Sequence, residues 1–178
     1  MNRAQEPWIF GEPWLSQIRS ALQFRYELLP YLYTLSEEAS RTGLPLMRPL
    51  YLHYPEDPET RHLSNSFLMG SDLLVAPVLK PAQRQRLVYL PAGQWEDFWT
   101  GTVYEGNQWI IHPVSAARVA LFQRCGSLIP LQPTQKHTTD AFWPDLYWRA
   151  APLGTPDNWQ ATGQVFCDAG EGFQRGHR

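Results

Sequence analysis

No stretch of this sequence approaches the roughly 20 consecutive apolar residues that a membrane-spanning helix needs, so no membrane partner is expected. Neither sign of charge dominates. Fifteen Lys and Arg stand against 17 Asp and Glu, and a formal charge of -2 leaves no field to gather nucleic acid. Cysteine is scarce: Cys125 and Cys167, far apart in 178 residues, make no disulfide framework and are expected as free, buried thiols of a cytoplasmic protein. The opening "MNRAQEPWIFGEPW" is polar and proline-broken, without the basic-then-apolar order of a secretory leader. His53, His62, His112, His137 and His177 form neither an i, i+4 pair nor a cluster with cysteine, so zinc is not expected. Asp72 in "GSDLL" and the acids of "DAGEG", from Asp168 to Glu171, lack EF-hand spacing and read as solvated turn residues. A serine elbow, a phosphate loop and a dinucleotide fingerprint are also missing, and no cofactor or metal is expected.

What is present begins with an amphipathic pattern over 13–42, where Leu15, Ile18, Leu22, Tyr26, Leu29 and Leu32 recur at three- and four-residue steps. Pro13 suits a first helical turn, and Gly43 followed by Pro45 marks the stop. Pro30 falls inside the pattern and predicts a kink near residues 26–30 in preference to a break into two helices. From Gly43 onward short apolar or alternating runs are separated by Pro, Gly, Asn and Asp, which predicts strands at 46–52, 66–69, 73–78, 85–90, 95–97, 108–111, 120–124 and 128–130. The turn signals "YPEDPE", "GSD", "LPAG", "TGTVYEGN" and "RCGS" come too close together for helical crossovers, so an antiparallel β-sandwich follows. "LQPTQKHTTDAF" reads as a linker, and "DLYWRAAP" and "GQVFCDAG" as two further strands of an incomplete region. One long helix is more than a lone sandwich has room to cover, so the chain reads as the tail of something larger.

Read in order, "EPWIFGE", "RYELLPYLYTLSEEASRTGLPLMRPLYLHYPEDPE", "FLMGSDLLVAPVL", "VYLPAGQWEDFWTG" and "RCGSLIP" resemble the C-terminal part of family 31 of the glycoside hydrolases, α-glucosidases and α-xylosidases among them. The resemblance covers about 6–133, and "GQVFCDAGEGFQRG" is similar to a segment of the family's distal sandwich, from which Phe166, Cys167 and Ala169 depart. It implies a mainly β chain: 1–43 as the last helix of a (β/α)8 barrel, 44–133 as the proximal antiparallel β-sandwich, and 134–178 as part of a distal one. Catalytic groups of such barrels lie at the C-terminal ends of the strands, upstream of this chain. Family members are retaining enzymes with two aspartates roughly 5 Å apart. Neither aspartate's motif occurs here, nor does the arginine-histidine motif after the last strand, so no residue of this chain is assigned a catalytic, substrate-binding or metal-ligating role. Glu6, Pro7 and Trp8 would lie nearest the barrel mouth.

Three stretches invite a sharper reading. In "GQWEDFWTG" Glu96 and Asp97 sit side by side among Trp95, Phe98 and Trp99. Adjacent strand residues point to opposite faces, so they cannot flank one glycosidic bond, and the unit reads as a strand-turn bracketed by Gly93 and Gly101 that docks the sandwich against the barrel. Tyr26, Tyr31 and Tyr33, near Arg25, read as packing against the barrel. Arg48, in the apolar run "LMRPL", needs a buried partner, as a salt bridge or carbonyl clamp between barrel and sandwich. The expectation is the C-terminal fragment of a retaining α-glycosidase whose full form takes an oligosaccharide or glycoside, the fragment itself inactive and packed on its own barrel. The alternative is a carbohydrate-binding module that stacks sugars on Trp95, Trp99, Trp109 or Trp148.

Overall fold

The structure, a computed structural model, describes residues 6–115, 117–135, 145–155 and 157–168. The expected helix is divided. Helix α1 spans Trp14–Glu27 and α2 spans Leu29–Thr42, separated by Leu28 at φ -79°, ψ -2°. Pro30 is the cause: it has no N–H for the Tyr26 carbonyl four residues back. That carbonyl instead accepts from the buried Gln132 side chain at 2.9 Å, while the Gln132 backbone N–H donates to the Glu27 carbonyl at 3.0 Å. A distant segment thus satisfies the acceptors that the break leaves exposed. Gly43 closes α2 in the left-handed conformation, φ 77°.

Among the described residues twelve strands follow, in order β1 Met47–Arg48, β2 Phe67–Met69, β3 Leu73–Ala76, β4 Gln85–Leu90, β5 Gln94–Asp97, β6 Val103–Glu105, β7 Gln108–Pro113, β8 Ala120–Arg124, β9 Ser127–Leu131, β10 Tyr147–Ala151, β11 Leu153–Thr155 and β12 Asn158–Gln160. Six form one antiparallel sheet in the order β1-β2-β3-β8-β5-β6, and β4-β7, β9-β10 and β11-β12 are separate pairs. Side chains alternate across the main sheet, as the two-residue period of a strand requires. Leu74, Ala76, Phe122 and Trp95 point to the two-stranded β4-β7 sheet, where Val88 and Leu90 complete one core. Leu73, Val75 and Leu121 point the other way, to Leu28, Tyr31 and Leu35 of the helices and Ile129 and Leu131 of β9. Each fully buried leucine contributes about 1.5–3 kcal/mol, so both faces hold the sheet.

Four expectations are corrected. The strand at 46–52 stops at Arg48, because Pro49 cannot donate to the ladder, and Leu50–Leu52 coils into a short 3-10 turn. "TGTVYEGN" contains β6, whose three residues are too few to show alternation. No strand forms in 163–168; the pairing beyond β10 is instead the β11-β12 hairpin. Cys167 is exposed, whereas Cys125 is buried, and both are free. His137, His177, Ala169, Glu171 and most of the expected linker lie outside the described residues.

α2 docks on the sheet across Gly70, φ 66°, where an added Cβ would stand 2.5 Å from the Tyr31 hydroxyl and 2.6 Å from Leu35 Cδ2. Gly70→Ala is therefore expected to cost about 1–3 kcal/mol, seen as a lower urea midpoint at unchanged slope.

Candidate functional site

The stretch with the most chemistry, 93–101, proves to be a joint. Gly93 and Gly101 have φ of 113° and 73°, conformations that favour glycine, and between them β5 runs into a turn. Trp95 is fully buried, its indole N–H donating to the Pro91 carbonyl at 2.9 Å. Glu96 and Asp97 point to opposite faces of the sheet. Asp97 faces the β4-β7 pair and bonds His112 of β7 at 2.7 Å, both buried. Its Oδ1 accepts the backbone N–H groups of Trp99 and Thr100 at 2.8 and 3.0 Å, which shapes the turn. Burial pushes the Asp97 carboxyl up, but these three hydrogen bonds and the neighbouring His112 outweigh it and hold the group below the usual carboxylate range. Glu96, on the other face, takes the Arg149 guanidinium of β10 at 2.7 Å.

Phe98 and Trp99 then reach the helices. Phe24 of α1 lies 5.4 Å from the Phe98 ring and 5.0 Å from Trp99, and the Trp99 indole N–H donates to the Val119 carbonyl at 2.7 Å. Arg149 lies 4.1 Å over the Phe98 ring, donates to the Phe98 carbonyl at 2.9 Å and also bonds Gln123. Sequence reasoning missed Arg149 because nothing local marks an arginine of a half-exposed strand as the partner of an acid 53 residues away.

Arg48 is 1% exposed and has three partners: Glu38 of α2 at 2.7 Å, the Pro45 carbonyl at 2.8 Å and His53 Nε2 at 3.2 Å. Salt bridge and carbonyl clamp are both present, joining helix to sheet. Burial, then the charges of Arg48 and Arg124, push the His53 imidazole below its ordinary value, so neutral His53 accepts from Arg48. Beside it lies a cleft of about 450 Å³ whose walls include Glu38, Asp72, Arg124, Ser127 and Thr162. Burial pushes the Asp72 carboxyl up. The other ionic groups there are committed, Glu38 to Arg48 and Arg124 to the Tyr54 hydroxyl at 2.6 Å. The tyrosine stripe does not act as a unit: Tyr31 packs on the β-sheet, donating to the Met69 carbonyl at 2.8 Å, while Tyr33 is exposed and bonds Asp168. Among the described residues no group of three His, Cys, Asp or Glu is placed to hold a metal ion, and no helix is long and apolar enough to cross a membrane.

One face has no cover among the described residues. Ahead of and along α1, Trp8 (69% exposed), Ile9, Phe10, Trp14 and Leu22 stand open, and α1 buries none of its residues. So many large apolar side chains left open on neighbouring elements mark an interface.

The comparisons with known proteins account for both halves. Residues 1–35 match the family model described as the glycosyl hydrolases family 31 TIM-barrel domain, and 43–129 match that of the glycosyl hydrolase family 31 C-terminal domain. Alpha-glucosidase 2 of Bacillus thermoamyloliquefaciens is 38% identical over 171 residues, 96% of this chain and 21% of that protein. The probable glucan 1,3-alpha-glucosidase of Oryza sativa subsp. japonica is 35% identical over 173 residues, 97% of this chain and 19% of its own length. The chain thus spans about a fifth of the curated relatives it matches. Among solved structures, a Flavobacterium johnsoniae dextranase complexed with isomaltotriose superposes with a TM-score of 0.74 at 43% identity, over 76% of this chain and 17% of that one. A cycloalternan-forming enzyme of Listeria monocytogenes, in complex with a pentasaccharide, gives 0.80 at 30% identity, over 86% of this chain and 16% of its own. Two adjoining models of one family, met in order by an exposed helix and a β-sandwich, show that the chain belongs to glycosyl hydrolase family 31, as the end of its barrel joined to its C-terminal β domain.

Proposed function

We propose that this chain is the C-terminal support of a retaining α-glycosidase, α-glucosidase-like, that hydrolyses terminal α-linked sugars in carbohydrate metabolism, and that it supplies no catalytic carboxylate. On this reading 1–43 end the catalytic barrel, 44–133 are the proximal sandwich and 134–178 belong to a distal one. The open apolar face of Trp8, Ile9, Phe10, Trp14 and Leu22 carries the reading: on a chain similar to the end of a barrel, it is the surface the rest of that barrel would cover. The aromatic joint of Phe24, Phe98 and Trp99 and the Arg48–Glu38 bridge transmit that attachment to the sheet. Named relatives act on α-glucosides, which makes a terminal α-glucosyl residue the favoured substrate of the parent. The two free thiols fit a reducing compartment and hence a cytoplasmic parent.

A segment exchange tests this. Replacing the matching C-terminal part of the Bacillus alpha-glucosidase 2 with this chain is expected to retain hydrolysis of 4-nitrophenyl α-glucoside, whereas deleting that part abolishes it and this chain alone shows none. Turnover by the purified chain alone, or an inactive hybrid whose barrel does not retain this chain after proteolytic cleavage of the junction, would overturn the proposal.

A further inference from the structure

Of the four tryptophans considered for sugar stacking, Trp95 is sealed in the core and the Trp99 indole is spent on α1 and Val119. Trp109 of β7 is different. It lies on the outer face of the two-stranded β4-β7 sheet, 39% exposed, and is held from two sides. Its indole N–H donates to Glu59 Oε2 at 3.0 Å, and the Tyr89 ring lies 5.2 Å away at 53°. The Tyr89 hydroxyl in turn donates to Asp57 Oδ2 at 2.7 Å, and Asp57 Oδ1 accepts the Glu59 backbone N–H at 3.0 Å. The ring is therefore preorganised on a strand and need not be ordered when something binds it. Next to this clamp opens a cleft of about 500 Å³ with Pro55, Glu56, Asp57, Pro58, Ala92 and Asn107 in its walls. Its charged groups are acids; His53, also in the wall, is pushed towards the neutral form by burial and then by the charges of Arg48 and Arg124. Glu59 Oε1 accepts no hydrogen bond among the described residues.

An anion is repelled by such a site. A flat apolar ring beside carboxylate acceptors and a proline-lined hollow suits a neutral ligand that offers a C–H face on one side and many O–H donors on the other. We infer that Trp109, Glu59 and the adjoining cleft bind a neutral oligosaccharide, one ring stacked on Trp109 and its hydroxyls donating to the Glu59 and Asp57 carboxylates. The geometry stands by itself; only the choice of α-glucan probes rests on the function proposed above. The indole N–H signals of the 15N-tryptophan-labelled full chain would be followed by NMR during titration with maltoheptaose and isomaltotriose. A saturable shift of the Trp109 signal is expected, with a Kd of about 1 mM or below, weakened by about threefold in Glu59→Gln; Trp109→Ala, which has no such signal, is read by calorimetry and is expected to bind at least about tenfold more weakly than the parent chain. Glu59→Gln keeps the ring over Tyr89, so a lost response there is read on a folded chain, checked by its thermal midpoint. No Trp109 shift up to about 10 mM of either sugar, calorimetric binding that Trp109→Ala retains at the parent's affinity, or a response to N-acetyl-lysine amide in place of the sugars would overturn the inference. A failed segment exchange leaves this titration readable, and a failed titration leaves the exchange readable.

Discussion

Arg48→Met is expected to lower the unfolding free energy of the chain by about 3–5 kcal/mol, because it removes one partner of a buried ion pair and leaves the other uncompensated. Glu38 would keep its carboxylate at the base of α2 with only the polar cleft to hydrate it, and its side chain is 21% exposed, which places the loss at the lower end of that range. The Pro45 carbonyl and His53 Nε2 would lose their donor too. Arg48→Met combined with Glu38→Met is expected to recover most of the loss, since an apolar pair of similar volume needs no partner. Urea unfolding of the single and double variants measures the cycle, and a single variant within about 0.5 kcal/mol of the parent would show that Arg48 is dispensable. His53 adds a pH signature. Its folded pKa is depressed, so its contribution is present above the unfolded value of about 6.5 and is lost as pH falls through the folded value. Acid protonates His53 in a buried site and against the Arg48 guanidinium, and Arg48→Met is expected to remove only the part of that acid limb that the guanidinium sets.

Asp97→Ala is expected to cost about as much, ~3–5 kcal/mol, by a different route. It leaves buried His112 Nε2 and the backbone N–H groups of Trp99 and Thr100 without an acceptor, each at about 1–3 kcal/mol before relaxation. The second nitrogen of His112, Nδ1, is already buried without a partner among the described residues, so the ring cannot be rescued by turning over. Since the folded pKa of Asp97 lies below its unfolded value, its stabilisation is complete above about pH 3.9 and is lost as pH falls through the folded pKa. Asp97→Asn keeps an acceptor for the turn and should lose less, while the component of acid sensitivity in that window disappears. Thermal unfolding between about pH 2 and 6 would show it; an unchanged acid slope in Asp97→Asn would mean that another carboxylate sets it.

Both predictions come from stretches where the residue pattern is plain and the partner is not. Parity on a strand separates Glu96 from Asp97, and the sheet obeys it, one acid meeting Arg149 and the other His112. Arg48 in an apolar run demands compensation, and Glu38 supplies it. Pro30 signals a disturbed helix, but its position cannot show that Gln132, 106 residues after Tyr26, accommodates the gap. The strands Gln85–Leu90 and Ala120–Arg124 were legible to the residue, because six and five alternating or apolar positions carry a clear period. Val103–Glu105 and the β11-β12 hairpin were not, since three residues do not amount to a period.

Local order is what the sequence by itself determined: a helical segment ending at Gly43, a succession of short antiparallel strands, two acids on opposite faces, and a run of motifs specific enough to name the family. Those follow from φ/ψ preferences and from periodicity, which act over a few residues. Tertiary structure decided the rest. It set β10 against β9 across the expected linker, brought Arg149 onto Phe98 and Glu96, and buried Trp95 while leaving Trp109 open beside Glu59. Such choices depend on which surfaces meet once the main sheet has one face covered by the β4-β7 pair and the other by helices, and that energy is shared among residues tens of positions apart.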